Sequence, residues 1–471
     1  MRAHASGHRG LDRRGRVAVA RSIAVALALL LFSAPARAAI PDVFGLGSEE
    51  SALAGATAAR VRDFTAGYWD PAGLALVAHP EASLGVLGFG SQLQIRRPGD
   101  TRIAPIADPF AILVGGAAPI PFTGVLDHRL FIGIALAIVP EALVRVISHS
   151  PEEPFYPLYD NRTQRLVVLP ALAVRLPRGL SLGIGLNYLA GLDGQVAASP
   201  GATRAIEARV DESIVSHLGV NAGVRWQATG ALALALVYRQ EFAIPFRTVS
   251  HNDVAGQPID LDVDAEGLYT PHELVLGSAL TLPHRLTASL DLEWSHWSAF
   301  RGPFVTVSSE LPLVGAIAAE PPKVAFTDTF GVRGGLEWLA VARRLAELRL
   351  RAGYGFETQA APASQPGVTN LLDGPKHRIA AGAGVRLAIL GGHLRLDVHG
   401  QLDVLQSTTL TKKIAPAGSQ PDPASALSDE LPDDPAKPAT LGTQISNPGY
   451  PSISSGGFAW SLGAMLTVEY K

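Results

Sequence analysis

The chain has 471 residues, with 39 Lys and Arg against 42 Asp and Glu and a formal net charge of −3, so no basic excess marks a nucleic-acid partner. It contains no cysteine, which excludes a disulfide scaffold, a thiolate metal site, a cysteine nucleophile and a lipidated cysteine. No break in composition divides the region after the first forty residues, and one large closed sheet is a simpler account than several soluble domains.

The N-terminus carries Arg9, Arg13, Arg14, Arg16 and Arg21, then the apolar run Ile23 to Phe32, then Ala36-Arg37-Ala38. This order predicts a secretory signal over residues 1–38, cleaved after Ala38. The apolar run is shorter than the roughly 20 residues of a spanning helix. Arg13-Arg14 raises a twin-arginine alternative, ranked lower because a chain bound for the outer membrane must reach its insertion machinery unfolded. No apolar run of about 18 residues follows, so any membrane crossing must be made by strands.

Residues 39–80 are dominated by small side chains, as in Ser51-Ala52-Leu53-Ala54-Gly55-Ala56, and end near Asp70-Pro71-Ala72-Gly73-Leu74-Ala75. Such a run cannot build a core of its own, which predicts a plug packed inside a container made by the rest. Asp-Pro-Ala is equally a helix start, with Asp70 as cap and Pro71 at the first helical position.

From residue 81 onward, alternation of period two predominates. Leu394, Leu396, Val398, Leu402 and Val404 share one face, and Arg395, Asp397, His399, Gln401 and Asp403 the other. The same pattern runs through residues 286–294, 348–357 and 458–470. We count about fourteen segments, an even number as in bacterial single-chain barrels. They begin near Glu81, Phe110, Arg129, Gln164, Leu180, Ser213, Ala231, Pro271, Arg285, Phe326, Leu345, Lys376, His393 and Gly457.

Short connections at 177–179, 228–230, 283–284 and 391–392 alternate with long polar ones at 148–161, 192–211, 250–270, 299–323, 358–375 and 406–456. The expectation is an all-β transmembrane antiparallel barrel over 81–471, with tight periplasmic turns and long extracellular loops. Residues 406–456 lack the apolar content to order themselves and read as a surface loop.

The small-residue run, the aromatic Trp69 and Asp70-Pro71-Ala72-Gly73-Leu74-Ala75 resemble the N-terminal hatch of the FadL/TodX family of outer-membrane transporters, with Asp70 where that family usually has Asn. Asp291-Leu292-Glu293-Trp294-Ser295-His296-Trp297-Ser298-Ala299-Phe300, Val237-Tyr238-Arg239, Gly353-Tyr354 and Asp373 to Arg378 resemble its strands, so the likeness spans most of the chain. The C-terminus departs, with Tyr470 penultimate and Lys471 after it.

The resemblance implies a monomer in the outer membrane, inserted by the barrel assembly machinery and surrounded by outer-membrane lipid. Its barrel would admit hydrophobic small molecules such as long-chain fatty acids or aromatic hydrocarbons past a hatch, gated at Asp70, Pro71, Ala72 and Gly73, with release through a lateral opening and no cofactor.

The inferred lumen face carries Arg175, Arg225, Arg239, Arg349, Arg351, Arg386 and Arg395 beside Asp291, Glu293, Glu357, Asp397 and Asp403. Paired charges that prop a wet lumen are the plain reading. Arg225, Arg239, Arg351 and Arg386 are the candidates for binding a carboxylate head group. Trp226, Trp294, Trp297 and Trp460 read as girdle residues.

Gly179-Leu180-Ser181-Leu182-Gly183 matches a serine-nucleophile pattern but lies on a strand with no helix after it, so an outer-membrane lipase is disfavoured and no enzyme is expected. The histidines are dispersed, without metal-ligand spacing. An open porin is disfavoured by the plug. A surface scaffold or adhesin acting through long loops is the alternative function.

Overall fold

The computed structural model describes residues 41–470, apart from 107–109, 125–126, 139–148, 161–165, 201–205, 255–256, 312–314, 320–321, 366, 416–425, 432–433, 435 and 438–441. The expected signal, residues 1–38, lies outside the described residues.

Among these residues, fourteen strands close into one antiparallel barrel. In chain order they are β1 (Glu81–Arg97), β2 (Phe110–Pro119), β3 (Leu130–Ile138), β4 (Val167–Arg175), β5 (Leu180–Pro200), β6 (Ile206–Gln227), β7 (Leu232–Arg239), β8 (Glu273–Leu282), β9 (Leu286–Ser295), β10 (Thr329–Ala342), β11 (Ala346–Glu357), β12 (Lys376–Ile389), β13 (Gly392–Leu405) and β14 (Gly457–Tyr470). Each pairs with its neighbours in sequence, and β1 closes the ring on β14 from Glu81↔Glu469 to Leu93↔Gly457. Closure leaves the barrel wall without an edge, as a lipid-facing sheet requires.

The period-two pattern maps onto the two faces of the wall. Ile132, Ile134, Leu182, Ile184, Leu276, Leu292, Leu396 and Val398 are exposed on the outside, whereas Asp291, Asp397, His399, Gln401 and Asp403 are buried within. Trp226, Trp338 and Tyr470 lie on the outer face near the short-turn end, and Tyr238, Phe330, Tyr354 and Trp460 near the other, forming two aromatic girdles. Trp297 is a correction. It is buried beyond the end of β9 against Tyr269 and Phe300, because the chain leaves the wall at Ser295.

The long connections hold more structure than their composition suggests. β5 and β6 have 21 and 22 residues and pair without a break up to Pro200↔Ile206, so residues 192–200 and 206–211, within the stretch 192–211 expected as a loop, form a projecting arm. A spanning strand needs only about 9–11 residues. The strands Phe242–Val254 and Gln257–Thr270 pair antiparallel, the first running parallel to β5 over Arg247–Asn252, and Val305–Leu311 pairs with Gly315–Ala319. Polar, turn-rich composition misleads here because each arm is stabilised by its partner strand. Residues 406–456 also contribute the strands Thr409–Thr411 and Ser452–Ser454, which pair with each other.

Two short turns share one construction. Leu176-Pro177-Arg178-Gly179-Leu180 and Leu282-Pro283-His284-Arg285-Leu286 both enter through proline, then place two residues in the left-handed region, at φ 62° and 77° in the first and 61° and 63° in the second. Glycine meets that requirement at Gly179, whereas Arg285 bears it with a side chain.

Candidate functional site

Residues 41–80 fold into short helical turns, Pro41–Phe44, Ser48–Ser51, Ala66–Trp69 and Pro71–Leu76, that pack against the inner wall. Small inward residues make room for them. A Cβ at Gly183 would overlap Ala72 and Pro71, one at Gly223 would overlap Asp70, and one at Gly353 would overlap Leu53. Asp70, Pro71, Ala72 and Gly73 are thus brought together against β5 and β6. Asp70 is completely buried and accepts the N–H of Ala72 at 2.9 Å, so the residue reads both as a helical cap and as a wall contact.

The wall divides into an apolar and a charged half. Over β1–β4 the inner face is Leu87, Leu113, Phe131, Leu169 and small residues, and it receives Phe64, Trp69 and Leu74. Leu74 packs on Gly133, where a Cβ would come within 2.6 Å of it. This contact removes apolar surface from water and orients the segment without polar partners.

Over β9–β13 the contacts are ionic. Arg351, whose side chain is fully buried, reaches Glu49 at 2.9 Å, Glu337 at 2.7 Å and Asp397 at 2.6 Å. Arg395 meets Asp63 at 2.8 Å, and Arg378 donates to the Val43 carbonyl at 2.6 Å while holding Asp403. Asp291 accepts the N–H groups of Thr57 and Ala58 at 2.8 and 2.9 Å.

Of the four candidate arginines, Arg225 donates to the Ala59 carbonyl at 2.8 Å and Arg239 to that of Tyr68 at 3.1 Å, with Arg239 also paired to Glu273. With Arg351 they grip the N-terminal segment. Arg386 stands apart, paired to Glu469 at 2.6 Å beside a cavity of about 290 Å³ at the short-turn end, lined also by Arg62, Leu76, Val77 and Glu347. Glu49 and Asp63 were not singled out from sequence. An acidic Glu49-Glu50 pair within an otherwise small and apolar run was the available signal.

At the opposite end aromatic side chains form a buried cluster. Tyr269 stacks on Phe300 at 4.9 Å, Phe300 lies 4.8 Å from Phe326, and Phe155 meets Phe304 at 6.4 Å. A strap over residues 149–160 crosses this region, with the Tyr156 hydroxyl donating to the Gln94 carbonyl at 2.6 Å and accepting the Gly456 N–H at 2.9 Å. His149 is bound at both ring nitrogens, to Glu153 at 2.9 Å and to Asp160. Burial opposes its charge, but the two carboxylates outweigh burial and raise its pKa.

Besides a register shift at Leu339 and Val341 in β10, the described wall has an interruption beside the segment. Between β4 and β5 the pairs Val168↔Tyr188 and Ala171↔Gly185 keep one register, but Leu169 and Pro170 between them are unpaired on that side. Pro170 has no N–H to offer the ladder. The Asn187 side-chain oxygen, buried nearby, finds no partner among the described residues.

Ser181 lies buried at the start of β5, with no helix following. Among the described residues no His, Asp and Glu group is placed to hold a metal ion, and no helix is long and apolar enough to cross a membrane.

No protein-family model and no curated protein matches the chain. Solved structures share its fold. A FadL homologue of Pseudomonas aeruginosa superposes with a TM-score of 0.57 at 11% identity, over 93% of this chain and 100% of that one. The toluene transporter TodX of P. putida gives 0.55 at 12% over 91% and 99%, and the toluene transporter TbuX of Ralstonia pickettii 0.52 at 14% over 92% and 100%. The fold is that of these outer-membrane-type barrels.

Proposed function

We propose that the protein admits hydrophobic small molecules through the outer membrane and that residues 41–80 are the hatch that gates the passage. The observation that carries this reading is the aromatic mouth formed by Phe155, Tyr269, Trp297, Phe300, Phe304 and Phe326 at the outer end of a barrel filled by its own N-terminal segment. An apolar solute gains by leaving water at such a mouth, whereas a polar one pays to enter it. The likeness to barrels described as toluene transporters supports the same solute class.

In this reading Arg225, Arg239 and Arg351 hold the hatch in place. Release follows hatch movement and leads sideways through the wall at Leu169 and Pro170, where the ladder is already interrupted. The protein acts as a monomer, each lumen serving itself.

The test is mass spectrometry of apolar ligands that co-purify with the detergent-solubilised barrel, comparing the intact protein with an Asp70→Ala, Pro71→Ala variant. A defined fatty acid or hydrocarbon on the first and depleted from the second supports the reading. Only detergent and bulk lipid on both would remove it.

The projecting arm of β5 and β6 with the paired strands Phe242–Val254 and Gln257–Thr270 favours a second reading, a surface scaffold. Shortening that arm would then abolish partner binding while leaving ligand content unchanged.

A further inference from the structure

Most arginines on the inner wall are paired, Arg386 and Arg349 near the short-turn end among them, yet four arginines in the short turns themselves are not. Arg178, Arg285, Arg343 and Arg344 are exposed, and among the described residues their guanidinium groups meet no carboxylate and donate no hydrogen bond. Arg178 and Arg285 sit in the two proline-entered turns at positive φ, so the backbone itself holds them at the tips.

Apolar side chains share the same rim. Leu390, at the β12–β13 turn, is 94% exposed, and Leu345, directly after Arg344, is 68% exposed. Just above them on the outer face stand Trp226, Trp338 and Tyr470. Moving toward the rim, the outer surface therefore runs from an aliphatic band to an aromatic girdle and then to mixed guanidinium and leucine. That sequence of chemistries matches the descent from acyl chains through the interface to charged headgroups.

We propose that this rim is a collar that binds anionic phospholipid headgroups of the periplasmic leaflet, the guanidinium groups taking the phosphates while Leu345 and Leu390 dip into the acyl boundary. The inference rests on the membrane reading of the barrel and not on what the barrel carries. Guanidinium offers a planar fork that matches phosphate oxygens.

Placement around the ring separates lipid from a protein partner. Arg178 lies between β4 and β5, Arg285 between β8 and β9, and Arg343 and Arg344 between β10 and β11, while Leu390 lies between β12 and β13. With strands about 4.8 Å apart, Arg178 and Arg285 are separated by roughly 20 Å along the wall. A protein partner needs one contiguous patch, whereas a lipid annulus meets every side of the ring.

The experiment is native mass spectrometry of the full-length purified barrel titrated with phosphatidylglycerol or phosphatidylcholine of matched acyl chains. It compares wild type with a variant carrying Arg178→Ser, Arg285→Ser, Arg343→Ser and Arg344→Ser, and with the corresponding four-lysine variant. Heat-modifiable migration on a gel confirms that each is folded.

Wild type is expected to prefer phosphatidylglycerol by about tenfold, the serine variant to lose that preference and the lysine variant to keep most of it. Leu390→Asn is expected to weaken retention of both lipids. An undiminished preference in the serine variant, no preference in wild type, or displacement of the lipid by millimolar inorganic phosphate would overturn the proposal. Co-purification of an acidic periplasmic protein that blocks lipid binding would also overturn it, in favour of a protein partner. Apolar ligand content of the lumen is read separately, so failure of the collar and failure of the transport reading are distinguishable.

Discussion

Asp70 of the N-terminal segment lies directly against Gly223 of β6, so closely that a Cβ on the glycine would overlap the carboxylate oxygen that caps Ala72. Gly223→Val should therefore leave the barrel folded but push the segment from its seat. The expected result is unchanged heat-modifiable migration with new protease cleavage within residues 41–80 and leakage of small antibiotics. Persistent protection would show that the segment does not depend on this contact.

Arg351→Leu should be more damaging than its single charge suggests. It would take from Glu49, Glu337 and Asp397 the guanidinium they share, leaving Glu49 and Glu337 to Arg60 and Asp397 to Arg395, so the loss should fall short of the about 3–5 kcal/mol of a fully unpaired buried charge. Urea unfolding in detergent measures it, and adding Glu49→Gln should recover part of the loss.

The paired turns make a prediction of opposite sign. Arg285→Gly should stabilise the barrel by about 1 kcal/mol, because glycine adopts φ 63° without strain, and Gly179→Ala should cost a similar amount. Equal unfolding midpoints for all three proteins would refute the strain argument.

His149 predicts a pH dependence. Its folded pKa is raised, so its contribution is fully present below the unfolded value of about 6.5 and is lost as pH rises through the higher folded value. Amides of residues 150–160 should become less protected from hydrogen exchange above neutrality, after correction for the intrinsic rate. His149→Gln should remove that change.

Pro170→Val restores an N–H at the interrupted ladder. If the wall opens there, uptake of a hydrophobic probe into vesicles should slow severalfold while the unfolding midpoint holds or rises. Unchanged uptake would move the exit elsewhere.

Much of this architecture is written locally. The starts near Glu81, Phe110, Leu180, Lys376 and Gly457 coincide with strand starts because alternation and turn residues act over a few positions. Residues 192–211 misled because the polar arm owes its extension to strand pairing. The inward placement of Arg225, Arg239 and Arg351 follows from parity, but their partners Ala59, Tyr68 and Glu49 lie far away along the chain and become visible only when the ring closes. Trp297 carried the composition of a girdle residue, and only the end of β9 at Ser295 decides otherwise.

The seam between β1 and β14 gives the molecule an order of assembly. Residues 41–80 and β1 emerge early in synthesis, yet β1 cannot acquire its second neighbour until the chain has reached Gly457–Tyr470. The cylinder remains an open sheet until then, and its future contents have free access to the concave side. Zipping that seam is a contact of very long sequence separation, the kind that slows folding. Variants that weaken the seam should therefore accumulate as unclosed, aggregation-prone intermediates, a kinetic defect that equilibrium stability of the finished barrel would not reveal.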